Sequence, residues 1–353
     1  MIHGFVWTDA VRRRLKLRGA IILLAGFQSL ILLAGFFAPY NSTAQDRLSP
    51  FAPPTRVHFF DAKGKFHARP FVYGLKNNPV DFGAYGIDFT RVYPIRFLAA
   101  GAPYKIAGIF PARIHLLGVE EPGRLFLLGS DGYGRDQLSR FLYGGQISLR
   151  AGLIAAALSV SLGIVMGGLA GFYGGWLDNA LMRGAELFLA LPWLYLLFAV
   201  RAALPLHITQ SQVFLLLVAV MGLLGWARPA RLIRGVVLSA KERNFVLAAR
   251  GFGASDRYLL FRHVLPQTSG VVLTQIALLI PQFVLAEVTL TFLGLGVGEP
   301  LASWGSLLSS LQQYSVLSSY WWMFLPALLL VPLFLGYYLA ADALQERFKS
   351  VSL

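Results

Sequence analysis

Six stretches of the chain are apolar along nearly their whole length: residues 19–38, 149–172, 185–205, 212–230, 269–293 and 319–343. Each is close to the roughly 20 residues a helix needs to cross a bilayer. A signal peptide would have a shorter core and a small-residue cleavage site. Phe36, Phe37 and Pro39 crowd Ala38, the one plausible site, so the first run reads as an uncleaved span. Residues 40–148 are too polar to span. There, "VHFFDAKGKFHARPFVYGL" alternates apolar and polar positions around Asp61-Ala-Lys-Gly64, which predicts a hairpin flanked by His58 and His67, read as solvated polar positions rather than as a facing pair. "YKIAGIF" and "RLFLLGS" predict further short strands, and residues 127–148 predict an amphipathic segment ahead of the second span.

The loop between the fourth and fifth spans is patterned differently. Ser239 and Glu242 match the S-x-x-E capping box, which predicts a helix from Ala240 to Arg250. Gly251 and Gly253 suit a helix end, where positive φ is tolerated. Ser255 or Asp256 caps a second helix whose apolar set is Tyr258, Leu259, Phe261 and Leu265, with Arg257, Arg262 and His263 on other faces. Pro266 is expected to end it before the fifth span. On residue chemistry alone this unit reads first as an amphipathic hairpin held on anionic lipid; a soluble protein partner is the other reading.

Composition agrees with a membrane chain. Of 353 residues 56% are hydrophobic and 14% charged, with mean hydropathy +0.60. A soluble chain of this kind would expose aggregating patches. The net charge of +14 suits either nucleic acid or cytoplasmic loops, and its placement decides. Arg12, Arg13, Arg14, Lys16 and Arg18 precede the first run; Arg228, Arg231, Arg234, Lys241, Arg243, Arg250, Arg257 and Arg262 lie between the fourth and fifth. Both clusters fall inside if both termini are cytoplasmic, which puts residues 39–148 outside. Residues 40–148 hold thirteen Lys or Arg against eight Asp or Glu, but loops longer than about 60 residues escape the positive-inside rule. Nucleic acid is not an expected partner; membrane lipid is. The absence of cysteine excludes disulfides and thiolate chemistry.

Catalytic signals are missing. No G-x-x-x-x-G-K-[ST] occurs, so the chain cannot cradle nucleotide phosphates in that way. Gly132-Tyr-Gly134 reads as a turn into a helix. The histidines lack the spacing of a zinc site. Ser159 and Ser161 have no histidine within a span, and Glu287 has no acidic twin, which argues against an intramembrane hydrolase. Glu287 is the one carboxylate deep in a span, where charge is functional or paired; a structural bond to Thr289, Thr291 or a neighbouring helix is the favoured reading.

Four motifs carry a family resemblance. Ala248, Ala249, Gly253, Leu265 and Pro266 match the coupling loop of bacterial ABC importer permeases, a Glu-Ala-Ala, glycine and Leu-Pro signature. Leu247 stands where that family has its glutamate. "GASDRYLLFRHVLPQ", with His263, resembles the dipeptide/oligopeptide/nickel branch. So do "LLGSDGYGRDQLSRFLYGGQISL", "GFYGGWLDNALMR" and "EVTLTFLGLGVGEPLASWGSLL". The resemblance covers residues 127–348. Together with the apolar runs and the strand patterns of residues 39–126, which lie outside the resemblance, it gives the expectation of an all-α integral membrane protein of six transmembrane helices with a cytoplasmic coupling-helix loop and a small β-rich external insert. The expected parts are a cytoplasmic N-terminus 1–18, a first span 19–38, the insert 39–126, the pre-span segment 127–148, a five-helix core 149–348 with coupling loop 239–266, and a cytoplasmic tail 349–353.

The function implied is that of a non-catalytic permease subunit in the bacterial inner membrane, forming half of a peptide pathway. Nickel or another small solute, or a passive channel, are the alternatives. Implied partners are a second permease, two ABC ATPase subunits that hold ATP and magnesium, and an extracytoplasmic substrate-binding protein; no cofactor is expected on this chain. The ATPase-coupling residues by resemblance are Phe245, Ala248, Ala249, Arg250, Gly253, Ala254, Ser255, Asp256, Arg257, His263, Leu265 and Pro266. Glu287 and Trp304 are the candidates for pathway or subunit contact.

Overall fold

The structure is a computed structural model that describes residues 2–77, 85–106, 108–203 and 209–349. Apart from Lys349, the expected tail 349–353 lies outside the described residues, as do residues 204 and 205 of the third apolar run. Helix α1 (Ile2–Leu32) is followed by the short α2 (Ala34–Phe37) and five strands: β1 (His58–Phe60), β2 (Phe66–Asn77), β3 (Tyr85–Pro94), β4 (Arg96–Ile106) and β5 (Phe110–Gly118). The rest is helical. It comprises α3 (Gln137–Tyr173), α4 (Gly175–Ala190), α5 (Trp193–Ala203), α6 (Gln210–Leu224), α7 (Ala227–Lys241), α8 (Asn244–Gly251), α9 (Asp256–Tyr258), α10 (Ser269–Phe292), α11 (Trp304–Ser309), α12 (Tyr314–Ser319) and α13 (Leu325–Lys349).

Among the described residues, five helical runs are long and apolar enough to cross a membrane: Leu15–Leu32, Gln137–Tyr173, Gln210–Lys241, Asp256–Phe292 and Trp321–Arg347. The expected third run, 185–205, is not one helix. It breaks between α4 and α5, where Leu191 is extended (φ −81°, ψ 133°). Pro192 is the cause: its ring pushes the preceding residue out of the helical region and it donates no N–H to the turn. Other boundaries move outward. Helix α3 begins at Gln137 rather than 149, and α7 runs to Lys241, past the expected 230.

By contact the chain divides into two units. One comprises residues 1–24, 149–290 and 332–353. Within it α3 meets α7 across glycines spaced four residues apart, the spacing that aligns one helix face. A Cβ on Gly163 would lie 2.6 Å from Pro229 Cβ, one on Gly167 would run into the Ala230 carbonyl oxygen, and one on Gly171 would lie 2.8 Å from Val237 Cγ1. Pro229, Ala230 and Val237 are buried on α7. Further along the same helix Ser159 donates to the Gly222 carbonyl of α6 at 2.9 Å, and Gly152 lies against Val284 and the Ile280 carbonyl of α10. Small residues let backbones approach where lipid supplies no hydrophobic drive for association.

The other unit comprises residues 25–148 and 291–331 and contains the strands. Strands β1, β2 and β3 form one antiparallel sheet in that order, and β4 pairs with β5 in a second. The Asp61–Lys65 turn closes β1 on β2: Asp61 Oδ1 accepts the Lys63 and Lys65 N–H groups at 2.9 Å, and Gly64 takes φ +78°. His67 and His58 do not face one another. His67 bonds Asp61 Oδ2 at 3.0 Å, while His58 is paired with Phe71 and packs on the Phe71 and Tyr73 rings, because the ladder is irregular between His58 and Phe60. "YKIAGIF" supplies the end of β4 (Tyr104 to Ile106), the turn with Gly108 at φ +79°, and Phe110, the first residue of β5; its Ala107 lies outside the described residues. "RLFLLGS" is irregular up to a single bridge from Ser130 to Asp136, its Leu125 packed instead with Val72 and Ile95.

Ahead of α3 sits a tight ionic cluster. Arg135 bonds Asp131 and Glu299 at 2.7 Å each, and Arg140 bonds Glu299 at 2.9 Å. Asp136, buried, accepts the Ser139 N–H and hydroxyl at 2.7 and 2.6 Å on Oδ2, while its Oδ1 has no hydrogen-bond partner among the described residues. Burial pushes the Asp136 carboxyl up to about 7 against the pull of those Ser139 bonds.

Two outcomes follow from this packing. Gly167→Val should lower the thermal unfolding midpoint in detergent, an overpacking cost of about 1–3 kcal/mol; Gly235→Ala, with nothing within 4 Å of its Cβ and a helical backbone, should instead keep or slightly raise it, by up to about 1 kcal/mol. Asp136 favours the folded state fully below its ordinary value of 3.8, and that contribution is lost as pH rises toward 7, because the folded carboxyl holds its proton longer than the unfolded one. Asp136→Asn should therefore flatten the loss of stability between about pH 4 and 7 and gain on the order of a few kcal/mol at pH 8. Chemical unfolding across that pH range measures it.

Candidate functional site

The basic loop folds as a helix, a turn and a second helical run. Ser239 and Glu242 do not open the first of these. Helix α7 continues through Ser239 to Lys241, and Arg243, without a side-chain cap, precedes α8. The buried apolar positions of α7 (Ile233, Val237, Ala240) extend to its last turn, so packing overrides the capping signal. Helix α8 closes as a Schellman motif: Gly253 N–H donates to the Arg250 carbonyl at 2.9 Å and Ala254 N–H to Ala249 at 3.1 Å. Gly253 takes φ +84°, a left-handed conformation that favours glycine, while Gly251 stays helical. Ser255, not Asp256, is the next cap; its hydroxyl accepts the Tyr258 N–H at 3.4 Å.

Pro266 does not end the second helix. From Asp256 the backbone passes through a π-helical stretch (Leu259–Val264) and a 3-10 stretch (Leu265–Thr268) directly into α10. Proline cannot serve an ordinary i−4 bond and clashes with that carbonyl; widening and then tightening the turn accommodates it without a break. The altered winding also changes which residues are inside. Leu259, Leu260 and Val264 are buried, whereas Tyr258 and Phe261, expected on the apolar face with Leu259, are exposed.

The loop therefore has two faces. Its underside, Val246, Leu259, Leu260 and Val264, packs with Phe172 at the end of α3 and with Ile233, Val237 and Ala240 of α7; Ala249, Ala254 and Leu265 join the margin. Its outer face carries Phe245, Leu247, Phe252, Tyr258 and Phe261 among Arg250, Arg257 and Arg262, with Phe252 at 92% exposure. Ser255, Arg257, Tyr258, Phe261 and Arg262 line a shallow depression on it. His263 lies between the rings of Phe245 and Tyr258 at 6.0 and 5.3 Å, and Arg250 reaches Asp256 at 3.4 Å. Ala248, Pro266 and Leu247, the residue standing where a glutamate was expected, are exposed.

Beneath the loop, Arg234 of α7 bonds Asp178 of α4 through two N–H···O contacts of 2.5 Å. A forked guanidinium–carboxylate pair fixes orientation as well as distance. Neither this pair nor the glycine face was read from the sequence, although G-x-x-x-G-x-x-x-G at 163, 167 and 171 was the available signal.

Residues 159–350 match the model of the family described as the binding-protein-dependent transport system inner membrane component. The chain belongs to this family. This inner membrane component is 34% identical over 219 residues to the dipeptide transport system permease protein DppC of Bacillus subtilis (strain 168), which is 62% of this chain and 66% of that protein. It is 34% identical over 234 residues to the oligopeptide transport system permease protein OppC of the same organism, 66% of this chain and 74% of that one. A solved chain of the MetNI methionine ABC transporter is a looser likeness, with TM-score 0.41 and 18% identity over 57% of this chain and 94% of that one. With several apolar helices of crossing length, this family member is a multi-pass membrane protein. The matched residues include the whole loop and exclude all five strands.

Both candidates for pathway or subunit contact are interior, at 1% exposure each. The Trp304 indole N–H donates to the Phe141 carbonyl at 3.0 Å, its backbone N–H to Ser148 Oγ at 3.1 Å, and its ring stacks on Phe141 at 5.7 Å. Here it is a packing residue. Near Glu287, the Thr289 hydroxyl donates to Leu285 and the Thr291 hydroxyl accepts the Val297 N–H.

The forked pair gives one expected outcome. Asp178→Asn should lower the unfolding midpoint in this protein by the equivalent of about 1–3 kcal/mol, the range for hydrogen bonds to a charged group. Arg234→Ala in the same background should add little, since the partner is already gone.

Proposed function

We propose that this chain is the permease subunit of an ATP-driven peptide importer, forming half of the translocation pathway and taking its drive from separate ATPase subunits. Six crossings complete the proposed topology, with α4 and α5 together making the third as a broken helix. Both termini and the basic loop lie in the cytoplasm, and the strand-bearing segment 39–148 lies outside as a small β-rich insert. A second permease, two ATPase chains that bind ATP and magnesium, and an extracytoplasmic binding protein complete the assembly. The named relatives, a dipeptide and an oligopeptide permease, support the peptide cargo.

The single observation that carries the coupling role is the two-faced loop. An apolar underside ties α8 and the π-helical stretch Leu259–Val264 to α7 and α3, so a push on the loop is transmitted to long helices rather than absorbed. An outer face of exposed aromatics among arginines suits a soluble partner's cleft, since buried aromatics and Arg dominate such contacts. Glu287 and Trp304, interior here, are proposed to act by holding the helices that line the pathway.

The test is co-purification from membranes with the partner chains co-expressed, followed by ATPase assay and uptake of a labelled dipeptide. Phe252→Asp and Phe261→Asp alter exposed side chains and should leave the unfolding midpoint unchanged while the bound ATPase and the uptake are lost. Uptake that persists without ATP, or ATPase retained by both variants, would remove the coupling role and return a passive channel.

A further inference from the structure

The hairpin of β4 and β5 is rooted on the outer end of the first membrane-crossing helix, and three contacts give its direction. His115 Nδ1 lies 2.7 Å from the Ala38 carbonyl oxygen. Gly101 lies against the same imidazole, where a Cβ would come within 2.6 Å of it. Three residues further along β4, Tyr104 lies on Gly35, so closely that a Cβ there would fall inside the ring. From Gly101 to Tyr104, then, β4 travels from Ala38 back to Gly35. That is opposite to the direction in which α1 and α2 leave the apolar run.

Beyond the Tyr104–Ala112 pair the ladder continues through Lys105–Pro111 and Ile106–Phe110 before the turn. At about 3.3 Å per residue this carries the tip about 7 Å further along the same course. A helix rises about 1.5 Å per residue, so the tip comes level with the last turns of α1, near Ser29 to Leu32. Those residues belong to the apolar run Leu15–Leu32, and Leu32 is itself exposed.

The chemistry of the tip suits that depth. Ile109 and Phe110 are 71% and 65% exposed, and Ile114 follows them on β5, also exposed. Lys105 and Arg113, both exposed, stand just behind the turn. Apolar side chains at a tip with basic ones set back from it are the arrangement of an interfacial anchor: the former enter the acyl boundary and the latter reach anionic headgroups. In water this tip would instead hold two large side chains mostly hydrated.

We propose that the β4–β5 tip is a membrane anchor, inserted into anionic phospholipid at the face where the first span ends, with Ile109 and Phe110 below the headgroups and Lys105 and Arg113 at the phosphates. The hairpin thereby fixes the strand-bearing segment close against the bilayer. This needs only that α1 crosses the membrane and is independent of the cargo and of the coupling loop.

The chain contains no cysteine, so single-cysteine variants report without background. Ile109→Cys, Phe110→Cys and, at the polar β1–β2 turn, Lys63→Cys are each given a nitroxide label. The full chain is reconstituted in vesicles of phosphatidylethanolamine and phosphatidylglycerol. Relaxation by oxygen, which concentrates in lipid, is compared with relaxation by a water-soluble nickel chelate. The labels at 109 and 110 should lose accessibility to the chelate and gain it to oxygen, with the label at 63 behaving oppositely. Chelate accessibility at both 109 and 110 equal to that at 63 would overturn the proposal and leave the tip as a surface in water. Two reporters guard against one variant distorting the turn, and an unchanged unfolding midpoint identifies those that fold.

Discussion

The approach of α3 to α7 is the constraint on which the helical unit depends. Three glycines, at 163, 167 and 171, remove the side chains that would otherwise hold the two backbones apart. Ala230 and Pro229 on α7 are small enough to use the space. In lipid, where burial of apolar area offers little reward, this contact depends on dispersion and close backbone approach. It sets where α7 ends, and the basic loop begins where α7 ends. It also places Phe172, which forms part of the floor under the loop.

The loop itself divides its apolar residues between two tasks. Val246, Leu259, Leu260 and Val264 anchor it; Phe245, Leu247, Phe252, Tyr258 and Phe261 remain outside. A surface hairpin lying on lipid would use one apolar face only. Here one apolar face is already spent on the helices and a second is presented with arginines between its rings. The π and 3-10 stretches around Pro266 keep the second helical run continuous with α10. The forked Asp178–Arg234 pair ties α4 to α7 in the same region.

The other unit solves a different problem, that of polar backbone and many charges beside a membrane-crossing helix. Four of its ionic groups are paired in one cluster, Arg135 and Arg140 with Asp131 and Glu299. Burial opposes ionisation of Glu299, yet the Arg135 bond and the charges of Arg140 and Arg135 hold its carboxyl below the usual range. Asp136 has no such cation among the described residues, and burial pushes it the other way. The sheets remain thin, with much apolar surface exposed, so the neighbourhood of the hairpins matters to them more than their own core does.

Much of this was legible in the sequence because it rests on local rules. Spans follow from apolar runs of bilayer length, the basic loop from the clustering of arginines, the left-handed position from Gly253, the β1–β2 turn from Asp61-Ala-Lys-Gly64 and the second cap from Ser255. What failed did so where distant residues compete with a local signal. Ser239 and Glu242 look like a helix start, but the packing of Val237 and Ala240 carries α7 through them. Pro266 looks like a stop, but a change of winding absorbs it. Tyr258 and Phe261 look like core residues, but that same winding turns them outward. The sequence by itself determined the family, the membrane habit and the chemistry of the loop, since these depend on residue type and spacing along the chain. Only the tertiary structure decided which side of the loop is free and where the β4–β5 tip points, since both depend on contacts between residues that no local pattern brings together.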